Sequence, residues 1–197
     1  MQTKHYFIAA VLSVIGLFSF QPKTNDLKVK EYLGVPGPID FNKATFSLSW
    51  SSHPNKDYFK QEYLPSGEKS ETFNKMFMIE ALVGDLTPKD AMANKIKELD
   101  ERKKTDAVTN YQFIQNPKTG EYILDFVISS GNIVEWNAYR YTSLKDGSNK
   151  GLVLFAYSKR AYGAATTSFL KNLKTTRPAD INSLATYATP AIKIKAE

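Results

Sequence analysis

Histidine is almost absent from this 197-residue chain: His5 falls in an apolar leader, and His53 is the only other one. A Ser-His-Asp arrangement would have to use His53. It opens the stretch His53-Pro54-Asn55-Lys56, which reads as a turn, so an exposed surface histidine is expected there. No G-x-S-x-G elbow accompanies it. Cysteine is missing altogether, which excludes thiolate nucleophiles, disulfides and Cys-ligated zinc. No D-x-D-x-D-G loop, P-loop, G-x-G-x-x-G or CxxCH occurs. We therefore expect no metal site, no cofactor and no assignable catalytic residue.

Carboxylates are the remaining candidates. Glu62 lies near the end of a strand-like run, and Glu68 lies just past the turn Pro65-Ser66-Gly67. Two carboxyls about 5–10 Å apart can act as general acid and base on a glycosidic bond. In the alternative role, Glu62 pairs with a lysine across a sheet, while Glu68 and Glu71 cap a short helical turn over Ser70–Lys75. The second role is the expected one. Glu80 and Asp125 each interrupt apolar runs, and a buried carboxylate needs a partner. Arg140 is the partner expected for one of them. A ligand-facing pocket group is the other option.

Aromatics crowd the second half of the chain. Trp136, Tyr139, Tyr141, Phe155 and Tyr157 can line a glycan or peptide groove, or simply fill a core, as strand-forming aromatics do. Tyr139 and Tyr141, close to the turn at Lys145, are the ones expected to reach the surface. The candidate binding residues are therefore Glu62, Tyr63, Glu68, Tyr139, Arg140 and Tyr141.

The elements that must position these residues follow from periodicity. Ala44–Ser52 alternates, with Phe46, Leu48 and Trp50 opposite Ser47, Ser49 and Ser51. Asp57–Leu64 and Met76–Val83 read as strands, the second apolar on both faces apart from Glu80. Thr87-Pro88-Lys89-Asp90 is a helix start, and Met92, Ile96 and Leu99 continue one face to about Lys104. Ala107–Gln115, Tyr122–Ser129, Ile133–Thr142 and Lys150–Arg160 follow as strands, with Ser130-Gly131-Asn132 as a hairpin turn. A helix near Ala164–Lys174 should end at Pro178, with one more short helix around Ile181 and Leu184. Leu33–Ile39 holds two prolines and two glycines and reads as irregular.

Several strands are apolar above and below, and two or more amphipathic helices accompany them. That pattern predicts an α+β fold: a central antiparallel sheet with helices on both faces, an α/β/α sandwich. The element order resembles the Mog1/PsbP-like fold, whose members are mostly accessory or binding proteins. Separately, Gln61-Glu62-Tyr63-Leu64-Pro65-Ser66-Gly67-Glu68, followed by Glu71, Phe73, Met76 and Ile79, resembles a group of uncharacterised exported bacterial proteins with a QEY-x-P-x-GE segment. Neither resemblance implies a reaction.

Residues 1–21 have the layout of a signal peptide: Lys4 and His5, then the uncharged apolar run Tyr6–Phe20, then a polar stretch. That run is short for a bilayer span, and no second one occurs downstream. The expected organisation is a leader over 1–21, a flexible lead-in over 22–40, one domain over 41–190 and a polar tail over 191–197. The mature chain should be exported, periplasmic or secreted, with no transmembrane segment. The net charge of +6 is scattered along the chain, as in Glu98, Asp100 and Glu101 before Arg102, Lys103 and Lys104, and does not indicate a nucleic-acid partner. The function expected is a non-catalytic binding or accessory role toward an envelope protein or glycan. The alternative is a carboxylate-dependent hydrolase acting on a cell-wall or extracellular polymer.

Overall fold

The computed structural model of the protein describes residues 29–195, so the expected signal peptide lies outside the described residues. The chain runs β1 (Ile39–Phe41), β2 (Ala44–Asn55), β3 (Tyr58–Leu64), β4 (Lys75–Val83), α1 (Pro88–Arg102), β5 (Asn110–Asn116), β6 (Glu121–Ser130), β7 (Ile133–Ser143), β8 (Gly151–Tyr162) and α2 (Ala165–Thr186). All eight strands form one antiparallel sheet in the order β1-β2-β3-β4-β8-β7-β6-β5. The last strand of the chain thus fills the centre, between β4 and β7.

Local chemistry explains most of these elements. Thr87 Oγ accepts the amide of Asp90 at 3.1 Å and donates to its carboxylate at 2.6 Å, and Pro88 occupies the first turn of α1. Gly131, at φ 56°, opens the two-residue loop between Ser130 and Ile133. Asn42 and Lys43 are both left-handed, at φ 50° and 62°, and make the tight turn that pairs β1 with β2.

The expected α/β/α sandwich is not formed. Among the described residues strand is about twice as abundant as helix, and the two helices build no layer. α1 seats Ala91, Met92 and Leu99 on Leu124, Phe126, Tyr141, Leu154 and Ala156. α2 seats Leu173, Ile181 and Leu184 among Trp136, Ala138, Val153 and Phe155. The β1–β4 side covers its apolar surface by curling. Phe41 of β1 meets Tyr157 of β8 edge-on with ring centroids 4.9 Å apart, although three strands separate them in the sheet. A flat sheet would hold those strands about 19 Å apart. Strands apolar on both faces do need two covers, but a sheet folded over itself supplies one. The Mog1/PsbP-like resemblance, drawn from the order of elements, implied that sandwich, and the curled sheet does not support it.

Other departures have similar causes. Ser70–Lys75 forms turns and no helix, and β2 continues through His53 and Pro54. Pro178 does not end α2, which runs on so that Ile181 and Leu184 stay buried. The loss of one hydrogen bond at the proline is outweighed by that burial. Part of the expected lead-in and tail belongs to the core. Leu33, Val35 and Ile192 are buried, and the amides of Lys193 and Lys195 donate to the carbonyls of Leu33 and Tyr32 at 2.8 and 2.9 Å.

Candidate functional site

On its side of the sheet α1 packs on β5–β8 and on Met78 of β4, and leaves β2 and β3 open on that side. Strand alternation turns Tyr58, Lys60 and Glu62 of β3 toward this half-open face and Gln61 and Tyr63 toward the opposite one. In register, Lys60 faces Glu80 of β4, and Glu62 faces Met78. The Lys60 ammonium stands 3.0 Å from Glu62 and 3.8 Å from Glu80, so it bridges two carboxylates whose nearest oxygens are at most about 7 Å apart. Trp50 of β2 lies opposite Glu62, its ring 5.9 Å from the Lys60 nitrogen, and it is 42% exposed.

Burial sets the electrostatics here. It pushes the Glu80 carboxyl above its ordinary value, against the pull of Lys60 and a hydrogen bond from Tyr58. Burial also opposes the charge on Lys60, but Glu80 and Glu62 more than offset it, and the amine is held above its ordinary value. It therefore remains an ammonium and cannot serve as a nucleophile. The Tyr58 phenol is raised by burial and by Glu80, so it stays a neutral donor. One ammonium, two carboxyls, a phenol and an open indole make a patch suited to hydrogen bonding and stacking.

The six residues singled out from sequence divide. Glu62 lies in this patch, held by Lys60 of its own strand rather than by a lysine across the sheet. Tyr139 lies in the same row, Glu62–Met78–Ala156–Tyr139, three strands further on. Tyr141 is buried beneath α1, 4% exposed, with its ring 6.2 Å from that of Tyr139, so the expectation of surface exposure fails for it. Tyr63 is buried on the other face, donating to the Val35 carbonyl at 2.6 Å. Arg140 is also buried there. It donates to the carbonyls of Leu184 and Tyr187 at the end of α2 and to Glu121, and thus pairs with neither Glu80 nor Asp125. Asp125 pairs instead with Arg177 of α2 at 3.3 Å. Glu68 accepts the amides of Asn74 and Lys75 at 2.6 and 3.1 Å; it closes a turn and does not converge on Glu62. Trp136, Phe155 and Tyr157 fill the core.

His53 is not a free surface residue. Its ring stacks on Phe59 at 4.1 Å and 9°, with Nδ1 3.1 Å from the Tyr58 carbonyl. Sequence reasoning passed over Lys60, Tyr58 and Trp50, although the alternation Tyr58-Phe59-Lys60-Gln61-Glu62 carried the signal. It also passed over Gln61, which is wholly buried, accepts the amides of Tyr32 and Leu33 and donates to the Val35 carbonyl.

Among the described residues no three His, Asp or Glu side chains gather as metal ligands, and every buried side-chain nitrogen and oxygen has a partner. No helix of the described residues is long and apolar enough to cross a membrane. A shallow depression beside α2 is lined by Lys75, Lys159, Arg160 and Phe169. Two of its cations are already engaged, Lys159 by Asp180 and Arg160 by Glu135.

No curated protein and no solved structure matches the chain. A family model matches residues 33–189, from buried Leu33 to just beyond α2, and that span does not single out the Gln61–Glu68 segment. The chain belongs to this uncharacterised family.

Proposed function

We propose that the protein is an exported, non-catalytic binding or accessory protein of the bacterial cell envelope. Its ligand, a glycan or an envelope protein, would bind on the half-open face around Lys60. The observation that carries this reading is the exposed Trp50 indole beside the ion-paired Lys60–Glu62–Glu80 group. An indole stacks on a sugar ring or an apolar side chain, and paired charges flanking it can accept and donate hydrogen bonds without a large desolvation cost. Of the two tryptophans, Trp136 is buried, so a change in emission on ligand addition reports on Trp50. Soluble cell-wall fragments and oligosaccharides titrated against the protein should shift that emission. Trp50→Ala should abolish binding measured by calorimetry, and Glu62→Gln should weaken it about tenfold, the worth of one charged hydrogen bond. Binding that survives Trp50→Ala unchanged would remove this face from consideration. N-terminal sequencing of the exported product tests localisation, and an intact Met1 would contradict it.

One observation favours a second reading, a carboxylate-dependent hydrolase of an extracellular polymer. Glu62 and Glu80 share the Lys60 ammonium, which keeps their nearest oxygens within about 7 Å, close enough for an acid–base pair, and burial pushes the Glu80 carboxyl above its ordinary value. Turnover of a glycan panel by the wild type, lost in Glu80→Gln, would establish it. Absence of turnover in both leaves the binding reading.

A further inference from the structure

The sheet ends on one side at β5, whose outer edge pairs with no strand among the described residues. The other end is β1, only three residues long. Edge strands are usually blunted by charge, proline, shortness or a bulge. β5, Asn110-Tyr111-Gln112-Phe113-Ile114-Gln115-Asn116, has none of these protections. Phe113 and Ile114 are 53% and 55% exposed and, with Trp50, are the only exposed large apolar side chains among the described residues. The strand is also held in place. Tyr111 donates to Asp100 of α1 at 3.0 Å and lies under Lys103, and Gln112 accepts from Arg177 of α2 at 2.7 Å. A pre-ordered row of unpaired amides and carbonyls is a template for another strand.

We propose that this edge is a homodimer interface, β5 pairing antiparallel with β5 of a second copy to make one continuous sheet. Charge, symmetry and register favour a second copy as the occupant. The chain carries a net charge of +6, which opposes self-association, and β5 is a seven-residue stretch without any charge at which two like-charged copies can meet. A two-fold axis normal to the sheet keeps each face on its own side, so only residues of equal parity can stand opposite each other. Of those registers, the one centred on Phe113 pairs all seven residues and sets Phe113 against Phe113, Ile114 against Gln112 and Tyr111 against Gln115. That register buries the exposed aromatic against its own copy, a favourable cross-strand pair. Two seven-residue strands joined in this way bury on the order of 1,000 Å², the low end for a specific interface, so the dimer should be weak and concentration-dependent.

The test uses the whole exported chain. Sedimentation equilibrium should give twice the chain mass at about 100 μM and approach the monomer mass on dilution. Ile114→Lys should remain monomeric throughout with an unchanged melting temperature, which separates a lost interface from a lost fold. The chain contains no cysteine, so a single introduced one reports its own neighbour. Phe113→Cys should form a disulfide-linked dimer under mild oxidation, because opposed Cα atoms about 5 Å apart suit a disulfide, while Gln115→Cys should not. A monomer at every concentration, a dimer that Ile114→Lys leaves intact, or equal cross-linking by the two cysteine variants would each overturn the proposal.

Discussion

At the scale of single residues, the strongest electrostatic anchor is Asp106, which the sequence offers only as one more acid in a charged stretch. Its carboxylate accepts the amide and hydroxyl of Ser129 at 2.7 and 2.6 Å, the Thr109 hydroxyl at 2.8 Å and the Arg102 guanidinium at 3.1 Å. Burial works against its charge, but these donors hold its pKa far below the ordinary 3.8. The folded carboxylate is thus favoured over the unfolded one. The resulting stability is fully present above about pH 4 and is lost as pH falls through the depressed folded value. Asp106→Asn should cost about 2 kcal/mol at pH 7 in denaturant unfolding. The gap between wild type and variant should narrow progressively below pH 4. A gap that stays constant with pH would mean that the carboxylate charge is not what anchors the Ser129 end of β6. Glu80 and Lys60 show the complementary lesson: a carboxylate inside an apolar strand is tolerated because an ammonium on the neighbouring strand lies in register with it.

At the scale of elements, the β4–β8 pairing places the last strand of the chain in the centre of the sheet, and its start depends on one glycine. Gly151, at φ 150°, stands opposite Val83, and a Cβ there would come within 1.9 Å of the Leu82 carbonyl oxygen. That contact is with backbone, so no side chain can swing away to relieve it. Gly151→Ala should destabilise the fold by about 3 kcal/mol, read as a lower denaturant midpoint with an unchanged slope. Hydrogen exchange should rise first at Leu82, Val83 and Leu152. A substitution tolerated within about 0.5 kcal/mol would show that the two strands can separate there at little cost. Strand and helix positions were largely legible in advance, because period-2 alternation and the Thr87-Pro88 start depend only on near neighbours. β1 was not: three residues carry too little periodicity, although Asn42-Lys43 followed by an alternating run was a usable hairpin signal. The continuation of α2 past Pro178 was not legible either, because the burial that holds it comes from distant strands.

At the scale of the whole molecule, both ends of the described chain close over the curled side of the sheet. Gln61 grips Tyr32, Leu33 and Val35, and Leu33 and Tyr32 in turn accept the amides of Lys193 and Lys195. Ile192 is buried in that core, and Asp146 accepts the amide of Ile194 at 3.0 Å. A chain ending at Pro190 should therefore lose about 2–4 kcal/mol, the worth of one buried aliphatic side chain and its hydrogen bonds, and melt roughly 5–10 °C lower. The segment around Leu33 should become sensitive to limited proteolysis. Unaltered melting would show that the last residues merely lie on the surface.

The sequence by itself determined the absence of thiol chemistry, the alternation of the strands, the N-terminal cap of α1 and the separation of Glu62 from Tyr63 onto opposite faces of one strand. These depend on composition or on residues a few positions apart. Only the tertiary structure decided that the sheet curls over itself, that Lys60 joins Glu62 to Glu80, that Arg140 serves the end of α2, and that β5 is left as an open edge. Each of those is a pairing between segments distant in the chain, selected by which arrangement removes the most apolar surface from water while leaving the buried charges partnered.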